Sequence, residues 1–191
     1  MVGVFIGLAI CSMLLFKAVS SPLAHPPLAT VNTPVSSKTA KAIHGLPIRL
    51  IIPAISVNAY LDYVSLTTDG ELGVPTAPAN AAWYDQGPRP GEKGSAVIDG
   101  HYGWVNNTPA VFDNLNKLHQ GDNLYVKDDH GVTTSFVVTA VQTISQDQNA
   151  KPIFISSDSK AHLNLITCQG TWNQNQKSYS DRLVVFADKV I

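Results

Sequence analysis

Short apolar runs, each only a few residues long and separated by Gly- and Pro-containing turns, constrain this chain more than any other feature. With 13 Gly and 12 Pro in 191 residues, long helices are excluded over most of the sequence. A set of brief strands is favoured instead. Residues 47–53 form a β-branched run bracketed by prolines, and 72–74 follow the Asp69-Gly70 turn signal. Further strands are expected at 96–99, 123–127, 134–142, 163–168 and 183–187, with Asp128-Asp129-His130-Gly131 as a hairpin turn. Such a succession points to a mainly β barrel or sandwich. One helix is expected at 109–122. Thr108 is its N-cap, Pro109 its first residue, Val111, Leu115 and Leu118 its apolar stripe, and Gly121 its stop.

The folded part does not begin at residue 1. Residues 2–16 are apolar and uncharged, a little short of the roughly 20 residues that span a bilayer unless Lys17 snorkels. A cleaved signal peptide ending near Ala18-Val19-Ser20 fits the length. An uncleaved anchor is preferred, because residues 21–45 are rich in Pro, Ser, Thr, Ala and Lys and suit a tether. The expected division is therefore a membrane anchor or signal segment at 1–20, a spacer at 21–45 and one domain at 46–191. That domain is expected outside a single-pass cell membrane. A net charge of -1 with no basic stripe argues against nucleic acid as a partner.

Cysteine usage then narrows the chemistry. Cys11 lies in the apolar segment, so Cys168 is a lone thiol in an exported domain, where an idle thiol is normally avoided. It ends the strand Leu163-Asn164-Leu165-Ile166-Thr167-Cys168, and Arg182 opens the next one. Neighbouring strands lie about 4.8 Å apart, so Arg182 approaches the thiol if the two pair. Of six histidines, His25 and His44 fall in the spacer, His130 in the hairpin turn and His119 at the expected helix end. His162 would lie roughly 20 Å from Cys168 along an extended strand. His101 remains, at the end of Val97-Ile98-Asp99-Gly100-His101. Thiol, imidazole and guanidinium beside strand ends suggest cysteine acyl transfer. Metal binding is disfavoured, since no HExxH occurs and a single exported cysteine builds no thiolate site. The nearest acidic candidates for calcium, Asp147 and Asp158, form no EF-hand loop.

These residues resemble those of the sortases, cysteine transpeptidases of Gram-positive cell surfaces. Leu165-Ile166-Thr167-Cys168, with Gly100-His101 upstream and Arg182 downstream, stands in the order of the sortase motif. Ile52-Pro53, Trp83-Tyr84, Pro90-Gly91 and the 109–122 segment extend the likeness over 46–191. The chain departs from the pattern at Asn164, where the first Thr of the motif would stand, and at Asp99. The surroundings of His101 and Pro109-Ala110-Val111-Phe112 look most like class F, with class E next. The resemblance implies an eight-stranded barrel and no cofactor. Cys168 would attack an LPXTG-like sorting signal between Thr and Gly, forming a thioester. An amine from a peptidoglycan precursor or a pilin lysine would then resolve it. His101 would move the protons, Arg182 would hold the substrate backbone or the oxyanion, and Thr167 would help to position the substrate. Two other readings stay open: an exported cysteine peptidase that hydrolyses its acyl-enzyme, and a non-catalytic cell-wall binding module. A cysteine at a strand end also lacks the helix N-terminus that acidifies many catalytic thiols. A mostly neutral Cys–His pair is therefore expected near pH 7.

Overall fold

The computed structural model describes residues 44–145, 147–175 and 178–191. Eight strands close into a barrel in the order β1-β2-β3-β4-β7-β8-β6-β5. They are β1 (Pro47–Ile52), β2 (Val57–Val64), β3 (Ala81–Tyr84), β4 (Gly94–Gly100), β5 (Asn123–Asp128), β6 (Thr133–Ser145), β7 (Ala161–Asn173) and β8 (Ser178–Lys189). All pairings are antiparallel except β2 with β3 and β4 with β7. The expected anchor at 1–20 and nearly all of the expected spacer lie outside the described residues. Among the described residues, no helix is long and apolar enough to cross a membrane.

Alternation along the strands divides the barrel into an inside and an outside. Leu50, Ile52, Leu61, Trp83, Ala96, Ile98, Leu163, Leu165, Val185 and Ala187 point inward and share one buried cluster. On the opposite face of β4, β7 and β8, Val97, Ile166 and Val184 are also buried. There they pack with Ile153 and its neighbour Phe154. Those two residues belong to α1 (Lys151–Phe154), a single turn in the β6–β7 connection. Asn164 holds that turn down: its side-chain amide donates to the Ile153 carbonyl at 2.6 Å, and both residues are buried. A polar residue in the middle of a hydrophobic strand is thereby satisfied.

Three sequence expectations need correction. The helix expected at 109–122 is a chain of turns with one 3-10 segment, Leu115–Lys117. Beyond its first turn the amides bond three residues back, as in Leu115 to Phe112 and Leu118 to Leu115, and at its start they have other acceptors. The Asp113 carboxylate takes the Gly103 and Ala110 N–H groups, while Val111 donates to Pro78 and Phe112 to His101. Side-chain and long-range acceptors of this kind compete with helical bonding. The apolar stripe survives as burial, with Phe112, Leu115 and Leu118 in the core. The strand expected at 72–74 is reduced to a single bridge, Leu66 with Leu72. Arg89, expected to be solvated, is half-buried and donates to the His44 carbonyl at 2.8 Å.

One histidine fastens the end of the barrel. His162 Nε2 bonds Asp158 at 2.8 Å and Nδ1 bonds Asp188 at 2.7 Å. Carboxylates accept only, so both ring nitrogens carry protons and the ring is cationic. Burial pulls its pKa down, but the bonds and charges of the two carboxylates outweigh this and raise it above 6.5. The resulting stabilisation is complete below the unfolded value and is lost as pH rises through the raised folded value. His162→Gln should therefore cost about 1 kcal/mol at pH 6 and close to nothing at pH 9, as read from thermal melts at the two pH values.

Candidate active site

Strand register alone gathers the site. In the antiparallel β7–β8 pair Cys168 lies directly opposite Arg182, and β6 sets Ile144 opposite Arg182 in turn. The parallel β4–β7 pair places Asp99 opposite Ile166. Extending that register by two residues sets His101 level with Cys168. Because side chains alternate, His101, Cys168 and Arg182 form one row across three strands on the outer face. Asp99, Ile166 and Val184 form the row beside it.

Both rows lie in a groove of about 840 Å³, bounded by the β2–β3 connection on one side and the β6–β7 connection on the other. Leu72, Val74, Tyr84, Ile153, Phe154 and Ile155 make much of its lining apolar. The segment at 143–162, expected from sequence to lie over the groove, contributes the wall from Ile144 to Ile155. Its Gln, Asn and Ser content suggests mobility, yet buried Ile153 and the Asn164 bond tie its centre to the barrel. On the far side of Cys168 is a second pocket of about 40 Å³, lined by Thr167, Tyr102, Phe112, Asp113 and Asn116 among others.

His101 is positioned by its backbone neighbours and by a carbonyl. Its Nε2 lies 2.9 Å from the Pro75 oxygen. A carbonyl cannot donate, so Nε2 bears the hydrogen and Nδ1 keeps the free lone pair of the neutral ring. Trp104 packs on the ring at a centroid distance of 4.6 Å. Pro75 is held over the ring by Asp62, whose carboxylate accepts from the Thr76 amide, the Thr76 hydroxyl and the Asn80 side chain. Burial works to raise the Asp62 pKa, and these three bonds bring it below its ordinary value. Gly100 is required on packing grounds, since a Cβ there would run into the Phe112 ring and sit 2.7 Å from Val111 Cγ1. Thr167 is buried, and its hydroxyl donates to the Gly100 carbonyl at 2.6 Å. It thereby ties the β7 end to the backbone that delivers His101.

Arg182 is half-buried, and its Nη1 donates to the Tyr179 and Asp181 carbonyls at 3.0 and 2.9 Å. Both hydrogens of Nη1 are used in this way. No described protein acceptor bonds Nε or Nη2, so that edge of the guanidinium is available to a bound molecule. The Cys168 thiol is partly exposed. Burial lifts its pKa above the ordinary value; the Arg182 charge opposes this and the Asp99 charge adds to it. Asp99 itself is pushed up to about 7 by burial, against the pull of the Gly100 N–H and the Arg182 charge. Sequence reasoning registered Asp99 only as a departure from a motif. Its spacing from Cys168 across a parallel pair was the signal that could have placed it in the groove.

A thiol held above its ordinary pKa is mostly neutral at pH 7. Alkylation of Cys168 by iodoacetamide should still be accelerating at pH values where an unperturbed thiol has levelled off. A rate already flat at pH 7 would mean an activated thiolate instead.

Comparison with known proteins agrees with this geometry. The sortase domain family model matches residues 50–190. Sortase C-1 from Actinomyces oris is 24% identical, with a TM-score of 0.61 over 76% of this chain and 75% of that one. A lid mutant of sortase A from Corynebacterium diphtheriae is 26% identical, with a TM-score of 0.59 over 79% of this chain and 73% of that one. No curated protein matches the chain. The family model takes in nearly the whole barrel, from β1 to the end of β8, so the chain belongs to the sortase family of cysteine transpeptidases.

Proposed function

We propose that this enzyme cleaves an LPXTG-like sorting signal between Thr and Gly through a thioester on Cys168. It then transfers the acyl group to an amine of a peptidoglycan precursor or a pilin lysine. The observation that carries the reading is the Cys168–Arg182 register pair with His101 in the same groove. His101 Nδ1 takes the thiol proton, and Sγ adds to the Thr carbonyl. The free edge of Arg182 faces the charge that develops on oxygen, where a fixed cation in a partly dry groove is most effective. The imidazolium then protonates the departing glycine amine, and the tetrahedral adduct collapses to the thioester. In the second half, the neutral imidazole accepts a proton from the incoming amine as it attacks. The thiolate leaves and is reprotonated.

The Cys168 pKa, raised by burial, supports a cycle in which only a minor fraction of molecules holds thiolate and imidazolium together. Turnover is then slow and the pH profile bell-shaped. Thr167 contributes to substrate positioning from the small pocket it lines, while its hydroxyl fixes the strand ends. The pattern around His101 and residues 109–112 supports a class F-like enzyme, with class E next. The apolar segment at 1–20 and the spacer at 21–45 support a membrane-anchored protein whose catalytic domain lies outside the cell.

The test is incubation with an LPXTG peptide and a glycine-based amine. A ligated product that depends on the amine supports transfer. Hydrolysed peptide alone, whatever the amine concentration, would instead indicate a cysteine peptidase.

A further inference from the structure

Asp99 is a carboxyl group in an unusual place. It lies on the outer face of β4, opposite Ala82 of β3 and Ile166 of β7, in a groove whose nearby lining is Ile153, Phe154, Ile155, Ile166 and Tyr84. Among the described residues no cation pairs with it. Arg182 acts on it through space but spends Nη1 on the Tyr179 and Asp181 carbonyls. The neighbouring Gly100 N–H offsets only part of the effect of burial on it. An unpaired carboxylate against apolar walls is costly to keep, and neither the proton transfers nor the oxyanion site described above uses it. Two residues separate its row from that of Cys168, or about 6.6 Å along the strand. An extended peptide whose reacting carbonyl sits at Cys168 would therefore pass over Asp99 within about two residues of that carbonyl.

We propose that Asp99 forms a cation-reading subsite on the groove floor, which selects peptide donors with a basic side chain close to the scissile carbonyl. The inference rests on the function proposed above and adds a substrate preference to it. A lysine or arginine side chain lying along the apolar wall would bury its methylene stem there. Its charged end would meet a carboxylate that pairs with no cation among the described residues. The wall from 144 to 155 contributes no titratable side chain to the groove. The other ionisable groups lining it are Glu71 from the β2–β3 connection, Tyr84 on β3, His101 after β4, Cys168 on β7 and Arg182 on β8. Of these, Glu71 supplies a second negative charge but is exposed, and Cys168 adds one only as its thiolate.

The experiment compares sorting peptides that are identical except for lysine or norleucine at one of the two positions before the scissile bond. The readout is the ratio of their kcat/KM values, measured from acylation of Cys168. Protonation of the attacking thiol slows acylation by both peptides and so largely cancels in the ratio. The wild-type enzyme should favour lysine by about tenfold at one of the positions at pH 8. That preference should shrink towards unity at pH 6, as Asp99 is protonated while the peptide lysine stays charged. Asp99→Asn should bring the ratio close to one at both pH values. The pH series on the unmodified enzyme decides the matter even if the variant does not fold. A wild-type ratio near one at pH 8, a ratio that does not change with pH, or a preference that survives in Asp99→Asn would each overturn the subsite. Failure of every peptide to acylate Cys168 would overturn the proposed function itself, and this subsite with it.

Discussion

Cys168→Ala should abolish the thioester and lower peptide ligation by about 10⁴-fold or more, to the uncatalysed background. The structure explains why the loss should be complete and why stability should hardly change. The side chain is partly exposed at the edge of a groove and lies outside the buried clusters of the barrel. Removing its sulfur opens no cavity in the core, so the unfolding free energy should match that of the wild type within about 0.5 kcal/mol. Cys168→Ser should fail almost as fully. A hydroxyl is far less acidic than a thiol, and no hydrogen bond joins residue 168 to His101 among the described residues. Intact-mass spectrometry after mixing with peptide checks both variants: the wild type gains the mass of the acyl fragment and the variants do not. A variant that ligates at the wild-type rate would remove the thiol from the chemistry. A protein in which neither wild type nor variant acquires mass, while both bind wall material equally, would be a binding module.

Arg182→Ala should lower kcat/KM by about 10²–10³-fold, the range found when an oxyanion donor is removed. Two consequences separate the proposed catalytic role from a structural one. First, Arg182 holds the Cys168 pKa down against burial, so its loss should push the alkylation profile to still higher pH. Second, Arg182→Lys should recover only a small part of the rate. Lysine keeps the charge but cannot hold two carbonyls with one nitrogen while presenting a second edge to substrate. Were Arg182 merely bracing the β7–β8 connection, melting temperature would fall and neither the alkylation profile nor the lysine variant would behave in this way.

The gathering of the candidate site residues was more legible in the sequence than the scaffold that organises them. Cys168 and Arg182 could be read together because each marks a strand end and the strands follow one another closely. His101 was harder to place, since it reaches Cys168 through a parallel pairing between segments some sixty residues apart. It could be singled out only by excluding the other histidines. The strands β2 and β3 escaped notice for different reasons. In β2 the inward set is Ala59 and Leu61, but Tyr63 on that same face is exposed, as is Tyr60 on the other, which blurs the alternation. β3 is four residues long and opens with two alanines, poor strand formers by themselves. The missing helix at 109–122 shows the opposite failure. Its apolar stripe was a real signal of burial, but the Phe112 amide, which would close the first helical bond to Thr108, goes to the His101 carbonyl, and short turns follow instead. Asn164 looked like a flaw in a motif and turned out to be the clip on α1.

β8 is last along the chain yet sits between β7 and β6 in the closed ring. A polypeptide emerging amino end first thus holds two unfinished sheet margins until β8 has been made. The same strand carries Arg182, so insertion of this keystone both seals the scaffold and brings the thiol its cationic neighbour. Until then the thiol has neither the Arg182 guanidinium opposite it nor a closed sheet to hold a peptide beside it, so acyl transfer waits for the last strand.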